Sequence, residues 1–317
     1  MRQKQKNIRL LILLVVLIAV SVSLWFINKP VKREKIQLAK LNLPDTSQIA
    51  SIEMKKDGKA ILLTETDSAW LVNGKFEADP GIIQALMNIL EQVETRRTAA
   101  ENEVETLSER LVNEGVLVRL LNKSDQVLKA FWAGGNANQT QSYFMPESKD
   151  EVFIVALPGN EGYVSGIFEI PEIDWKNRLI VSADWQTLDK ISYTFPKNPE
   201  ASFTIKNNTG LPEVINSPRM DSTVVFNLLD EYRYLQADNF LTEEEIMKLD
   251  NIESTGAFLR VEVFNKNREP VTIDFYENDS DSAFWLARVD KREWVRFSKK
   301  RLRNIIRPRR AVVGQNS

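Results

Sequence analysis

The chain has 317 residues, 43% of them apolar and 27% charged, with a formal net charge of −2. That is the make-up of a folded protein long enough for two domains, with no global electrostatic pull toward nucleic acid. It contains no cysteine and no histidine, which excludes disulfides, thiolate nucleophiles, zinc–cysteine sites, iron–sulfur clusters and any catalytic arrangement that turns on an imidazole.

In chain order, residues 1–9 form a basic tail carrying Arg2, Lys4, Lys6 and Arg9. Residues 10–27 read LLILLVVLIAVSVSLWFI, with no charge. A helix of that length spans roughly 27 Å, near the ~30 Å hydrocarbon core of a bilayer, and predicts a transmembrane helix with Trp25 at the interface. A cleaved signal peptide is the rival reading, weakened because Leu24 to Ile27 prolong the apolar run. Lysines and arginines are about even on the two sides. A short basic tail nevertheless resists crossing, whereas a large following domain does not. The expected location is therefore the bacterial inner (plasma) membrane, single-pass, with the N-terminus cytoplasmic and the bulk extracytoplasmic.

Residues 28–46 read as a charged tether, after which a pattern recurs about 140 residues on. SQIASIEM (47–54) is echoed by QTLDKISY (186–193), WLV (70–72) by PEV (212–214), LLNK (120–123) by VFNK (263–266), and SYFMPESKDEVFIV by AFWLARVDKREWVRF. Asp79-Pro80-Gly81 opens a helix whose Ile82, Leu86, Ile89, Leu90 and Val93 share one face. Asp221 opens its counterpart, and both aspartates suit the N-cap. A phosphate cradle would need several glycines and usually a lysine, so Gly81 alone marks a helix start. Strands are expected over 116–121, 126–132, 141–145 and 151–156, where apolar and polar residues alternate. Thr242 and Glu245 are spaced for a capping box. The predicted class is α+β: an N-terminal transmembrane helix, then two tandem, structurally similar modules with antiparallel sheets at 47–180 and 186–310, and a tail at 311–317.

The anchor, IASIEMKKDGKAILL, the Trp-Leu-Val strand, FEADPGIIQALMNILEQV and EGYVSGIF together resemble a family of bacterial membrane-anchored proteins classed as a domain of unknown function. The resemblance covers most of residues 47–180 and, more faintly, the second copy. Members often stand beside auxiliary proteins of gliding-type ABC transporters. The resemblance thus implies an extracytoplasmic accessory protein, and it carries no catalytic residue over to this chain.

The strongest charge cluster is C-terminal: Lys299, Lys300, Arg301, Arg303, Arg307, Arg309 and Arg310. It suits anionic headgroups of the membrane lipid bilayer or an acidic protein partner, against a plain reading as a solvated terminal helix. Nucleic acid is not expected, since no stacking aromatics interleave the cluster. Paired carboxylates could run a glycosidase without histidine, yet no pair stands out among 44 Asp and Glu. Trp132, Trp175, Trp185, Trp285 and Trp294 read as core more readily than as sugar platforms, and AGGNANQTQ (133–141) reads as a hairpin loop. No cofactor, metal or catalytic residue is expected. The expected function is a non-catalytic accessory or scaffold protein bound to an inner-membrane partner, plausibly an ABC-transporter assembly. The alternative is a glycan- or lipid-binding module with a cleft between the repeats.

Overall fold

The computed structural model describes residues 43–313, apart from 150, 161, 185, 209–210, 218, 250–251, 267 and 278–282. The first strands are β1 (Ser51–Lys56), β2 (Lys59–Glu65), β3 (Trp70–Val72), β4 (Phe76–Glu77), β5 (Glu94–Thr98), β6 (Val116–Leu121), β7 (Val127–Gly135), β8 (Ser142–Pro146) and β9 (Phe153–Ala156). They form one sheet in the order β4-β3-β2-β1-β6-β7-β8-β9-β5. β10 (Leu179–Val181) and β14 (Leu235–Gln236) make a two-stranded sheet. The remaining strands are β11 (Leu188–Thr194), β12 (Phe203–Asn208), β13 (Leu211–Val214), β15 (Asn239–Phe240), β16 (Leu259–Asn265), β17 (Val271–Tyr276), β18 (Phe284–Val289) and β19 (Glu293–Ser298). Their order is β13-β12-β11-β16-β17-β18-β19-β15. Strand for strand this repeats the order β3-β2-β1-β6-β7-β8-β9-β5 of the larger sheet.

The expected fold class is corrected. The described residues form mostly antiparallel β structure in three sheets, with few helices: α1 (Pro80–Gln92), α2 (Glu101–Glu114), α3 (Ser222–Asp230), α4 (Glu243–Met247) and α5 (Arg309–Val312). After α3 the chain passes through a 3₁₀ turn at Glu231–Tyr234, and Asn239 and Phe240 pair with β19 before the short helix α4. No helix among the described residues is long and apolar enough to cross a membrane. The expected N-terminal transmembrane helix, at 10–27, lies outside the described residues.

By compactness the chain divides into two units, Met1–Leu62 with Gln84–Glu169, and Leu63–Ile83 with Ile170–Ser317. In the first unit, β8 and β9 are buried almost throughout because both faces of the sheet are covered. One face packs Phe131 and Phe144, 4.7 Å apart, against Phe168. On the other, Tyr143, Met145 and Ile154 meet Leu111 of α2. Helix α2 starts without a side-chain cap, but Glu101 and Glu103 favour its N-terminal dipole.

In the second unit, Ile191, Val261, Ile273, Phe275 and Phe297 form the core with Val225, Leu228 and Leu229 of α3 and with Leu302, Ile305 and Val312. Tyr193 stacks on Phe203, centroids 4.5 Å apart, and its hydroxyl meets that of Tyr232 at 2.6 Å inside this core. Leu241, Tyr276, Leu286 and Trp294 build a second cluster. Both helix starts read from the sequence are present. Asp79 accepts the N–H groups of Gly81 (2.9 Å) and Ile82 (3.3 Å), and Asp221 accepts that of Val224 (3.1 Å). The early segment is tied to the later chain of its unit. The Asp79 N–H donates to the Trp175 carbonyl at 2.7 Å, and the Asn177 N–H to that of Glu77 at 2.8 Å.

Candidate functional site

The C-terminal basic segment is built on apolar pegs. Its 3₁₀ turn Arg301–Asn304 and helix α5 bury Leu302, Ile305 and Val312 in the second unit's core. That spacing leaves Lys300, Arg303 and Arg310 exposed on the outside. The other four cations are engaged. Arg301 donates to the Gln236 carbonyl and lies 3.2 Å from Asp238. Arg307 donates to Asn304 and Arg309 to the Asn216 carbonyl, each at 2.9 Å. The Lys299 ammonium sits 4.5 Å from the centroid of the Trp285 ring. Of the seven basic residues expected to form one surface, the structure therefore uses four within the fold and presents three. Asp238 also accepts the Ser298 N–H at 2.6 Å, so Arg301 completes a local network.

The tryptophans divide. Trp175 and Trp294 are buried, Trp132 and Trp285 are half-buried, and Trp185 lies outside the described residues. Trp175 donates its indole N–H to the Ile170 carbonyl at 3.1 Å, a core tie. Among the described residues, none of the four lines the cavities beside Arg110 and Tyr163, beside Arg260 and Asp274, or beside Lys176 and Phe240. Among the described residues no group of three acidic side chains is placed to hold a metal ion.

Sequence reasoning missed a polar cavity in the first unit. It encloses about 230 Å³ between the Lys56 end of β1, the C-terminal turn of α2, the Gly134–Gly135 end of β7 and the segment from Tyr163 to Glu169. Arg110 and Glu114 face each other across one turn of α2, Nε to Oε2 at 3.0 Å. The Tyr163 hydroxyl donates to Glu169 at 2.6 Å, and the Gln139 amide reaches the other carboxylate oxygen at 3.5 Å. Burial, with the Glu169 carboxylate second, pushes the Tyr163 hydroxyl well above the ordinary phenol range. Gly135 is required by contact: a Cβ there would lie 2.2 Å from the Tyr163 ring and 2.5 Å from the Gln141 carbonyl. The glycine pair and EGYVSGIF are both visible in the sequence. Their meeting, nearly thirty residues apart, is not.

A second pair of charges is held in the other unit. Arg260 reaches the buried Asp274 in bidentate fashion at 2.6 and 3.0 Å, beside a cavity of about 310 Å³ that Lys197 and Thr255 also line. The hydrogen bond to Asp274 raises the Arg260 guanidinium further above its usual value.

A family model described as a domain of unknown function, DUF4340, matches residues 70–251, more than half of the chain. The chain belongs to that family. No curated protein and no solved structure matches it. The DUF4340 match begins in β3 and ends before β16, so both units contribute to it. Apart from Lys56, the lining of the polar cavity falls within the matched residues, whereas the basic C-terminal segment lies beyond them.

Proposed function

We propose that this DUF4340 protein is a non-catalytic accessory or scaffold protein of the bacterial cell envelope. In this reading the apolar run at 10–27 holds the chain at the inner membrane, N-terminus inside and bulk outside. An inner-membrane protein, a component of an ABC-transporter assembly in this reading, docks on it. The observation that carries the reading is the pegged C-terminal segment. Three buried apolar side chains fix it to the core while Lys300, Arg303 and Arg310 stay exposed. A rigid support removes the cost of ordering the backbone when the cations meet an acidic surface, and the charges steer its approach.

The test is site-specific photo-cross-linking from positions 303 and 310 in native membranes, beside a variant carrying Lys300→Glu, Arg303→Glu and Arg310→Glu. A specific membrane protein should be captured, and the charge-reversed variant should lose it while keeping its unfolding midpoint. Capture of lipid alone would move the segment's role to the bilayer surface. Equal capture by both forms would put the docking face elsewhere.

A further inference from the structure

We propose that the polar cavity of the first unit is a binding site for a neutral, hydroxyl-rich ring of about one sugar unit. Its volume of about 230 Å³ falls below the ~300–1,000 Å³ of sites for drug-sized ligands, so a single substituted ring is the size class it admits. Among its lining residues Leu111 and Ala137 are the aliphatic side chains. An acyl chain would find little there to pack against.

The charges of the lining cancel, Lys56 and Arg110 against Glu114 and Glu169. A lone phosphate or a lone ammonium would meet as much repulsion as attraction. What fits is a ligand that donates and accepts at many points without net charge, as vicinal hydroxyls do. The matching groups are present. The Arg110 guanidinium commits its Nε to Glu114 and keeps its Nη donors, while the carboxylates and the Gln139 amide add acceptors and a further donor; the Asn136 amide is instead committed to Thr140 and Gln141 of its own loop. The aromatic wall is preset, since Tyr163 rests on the bare backbone of Gly135 and is pinned to Glu169 through its hydroxyl. A prearranged ring and acceptor reduce the ordering cost of binding. This inference stands independently of what docks on the basic segment, which belongs to the other unit.

The experiment uses purified full-length protein, with D-glucose, N-acetyl-D-glucosamine and myo-inositol as probes. Inorganic phosphate and spermidine serve as charged controls. Saturation-transfer NMR detects binding, and calorimetry measures it. At least one neutral probe should bind, and Arg110→Gln and Glu169→Gln should each weaken it by about tenfold or more, as loss of a charge-assisted hydrogen bond implies. Tyr163→Phe keeps the ring and should weaken binding less. The circular dichroism spectrum and unfolding midpoint of each variant establish that it is folded. Should Glu169→Gln not fold, Arg110→Gln on the helix surface carries the comparison alone. The assignment is overturned if no neutral probe binds, if only phosphate or spermidine binds, or if folded variants bind as the parent does.

Discussion

Tyr193 and Tyr232 share one short hydrogen bond, 2.6 Å, in the fully buried core of the second unit. A buried hydroxyl left without its partner bears the whole desolvation cost, about 1–3 kcal/mol, whereas removing both partners is close to neutral. Tyr193→Phe should therefore lower the unfolding free energy by about 1–3 kcal/mol, and adding Tyr232→Phe should restore most of it in denaturant titrations. If the double variant is as unstable as the sum of the singles, the pair is not coupled. Burial, first among the causes, also pushes both phenols well above their ordinary range. Their folded values exceed the unfolded one near 10, so their contribution to stability is complete below that pH and falls as pH rises past it. The double variant should flatten the alkaline limb of the stability profile.

At the scale of elements, α4 depends on a capping box. The Glu245 N–H donates to the Thr242 hydroxyl at 3.3 Å, and the Glu245 carboxylate accepts the Thr242 N–H at 2.9 Å and Arg296 at 2.8 Å. The Thr242 N–H, followed by Arg296, holds this carboxyl below its ordinary value. A depressed folded value gives stability that is present above the unfolded pKa and lost as pH falls through the folded one. Amide exchange at Thr242 should thus accelerate on acidification below about pH 4, the ordinary carboxylate range. Glu245→Gln, which retains the box geometry, should remove that pH dependence. An unchanged acid response in Glu245→Gln would mean that another carboxylate controls α4.

This box is legible in the sequence alone, as are the aspartate caps of α1 and α3 and the strand over 116–121, because each is written in residues a few positions apart. The extent of the sheets is not. Nothing in the residues around Phe240 marks it as a strand until β19 supplies a partner for it. The polar cavity is hidden for a related reason. Arg110 and Glu114 read as an ordinary i,i+4 pair on a helix surface, and Gly134-Gly135 reads as a loop. Only the register Gly135↔Ser142 and the chain's path through Tyr163 bring them together. Of the basic C-terminus, the sequence shows the charge but not which cations the fold consumes: Arg301 is lost to Asp238, an acid more than sixty residues away.

At the scale of the molecule, the second unit is assembled from two separated stretches, Leu63–Ile83 and Ile170–Ser317. Within it, the carbonyls of Glu77 and Trp175 accept the N–H groups of Asn177 and Asp79, and the Lys176 ammonium lies 4.1 Å from the centroid of Phe240 and 5.3 Å from that of Phe76. A fragment of residues 170–317 should consequently unfold at lower denaturant than the same fragment supplied with a peptide of residues 63–83. With Trp70→Phe in the peptide, the tryptophan emission of the fragment should shift to the blue on mixing, as Trp175 leaves water. Identical emission and midpoints with and without the peptide would show that the later stretch folds unaided.

That interleaving sets a schedule for the living cell. Gln84–Glu169 must be synthesised between the two stretches, which at ~5–20 residues per second takes roughly 4 to 17 s. Throughout that interval the Glu77 carbonyl and the Asp79 N–H have been made, while Asn177 and Trp175, which they bond, have not. A newborn chain in this condition is a natural client for a holding chaperone, and a ribosome that stalls before residue 170 leaves the early stretch waiting for a partner that never arrives.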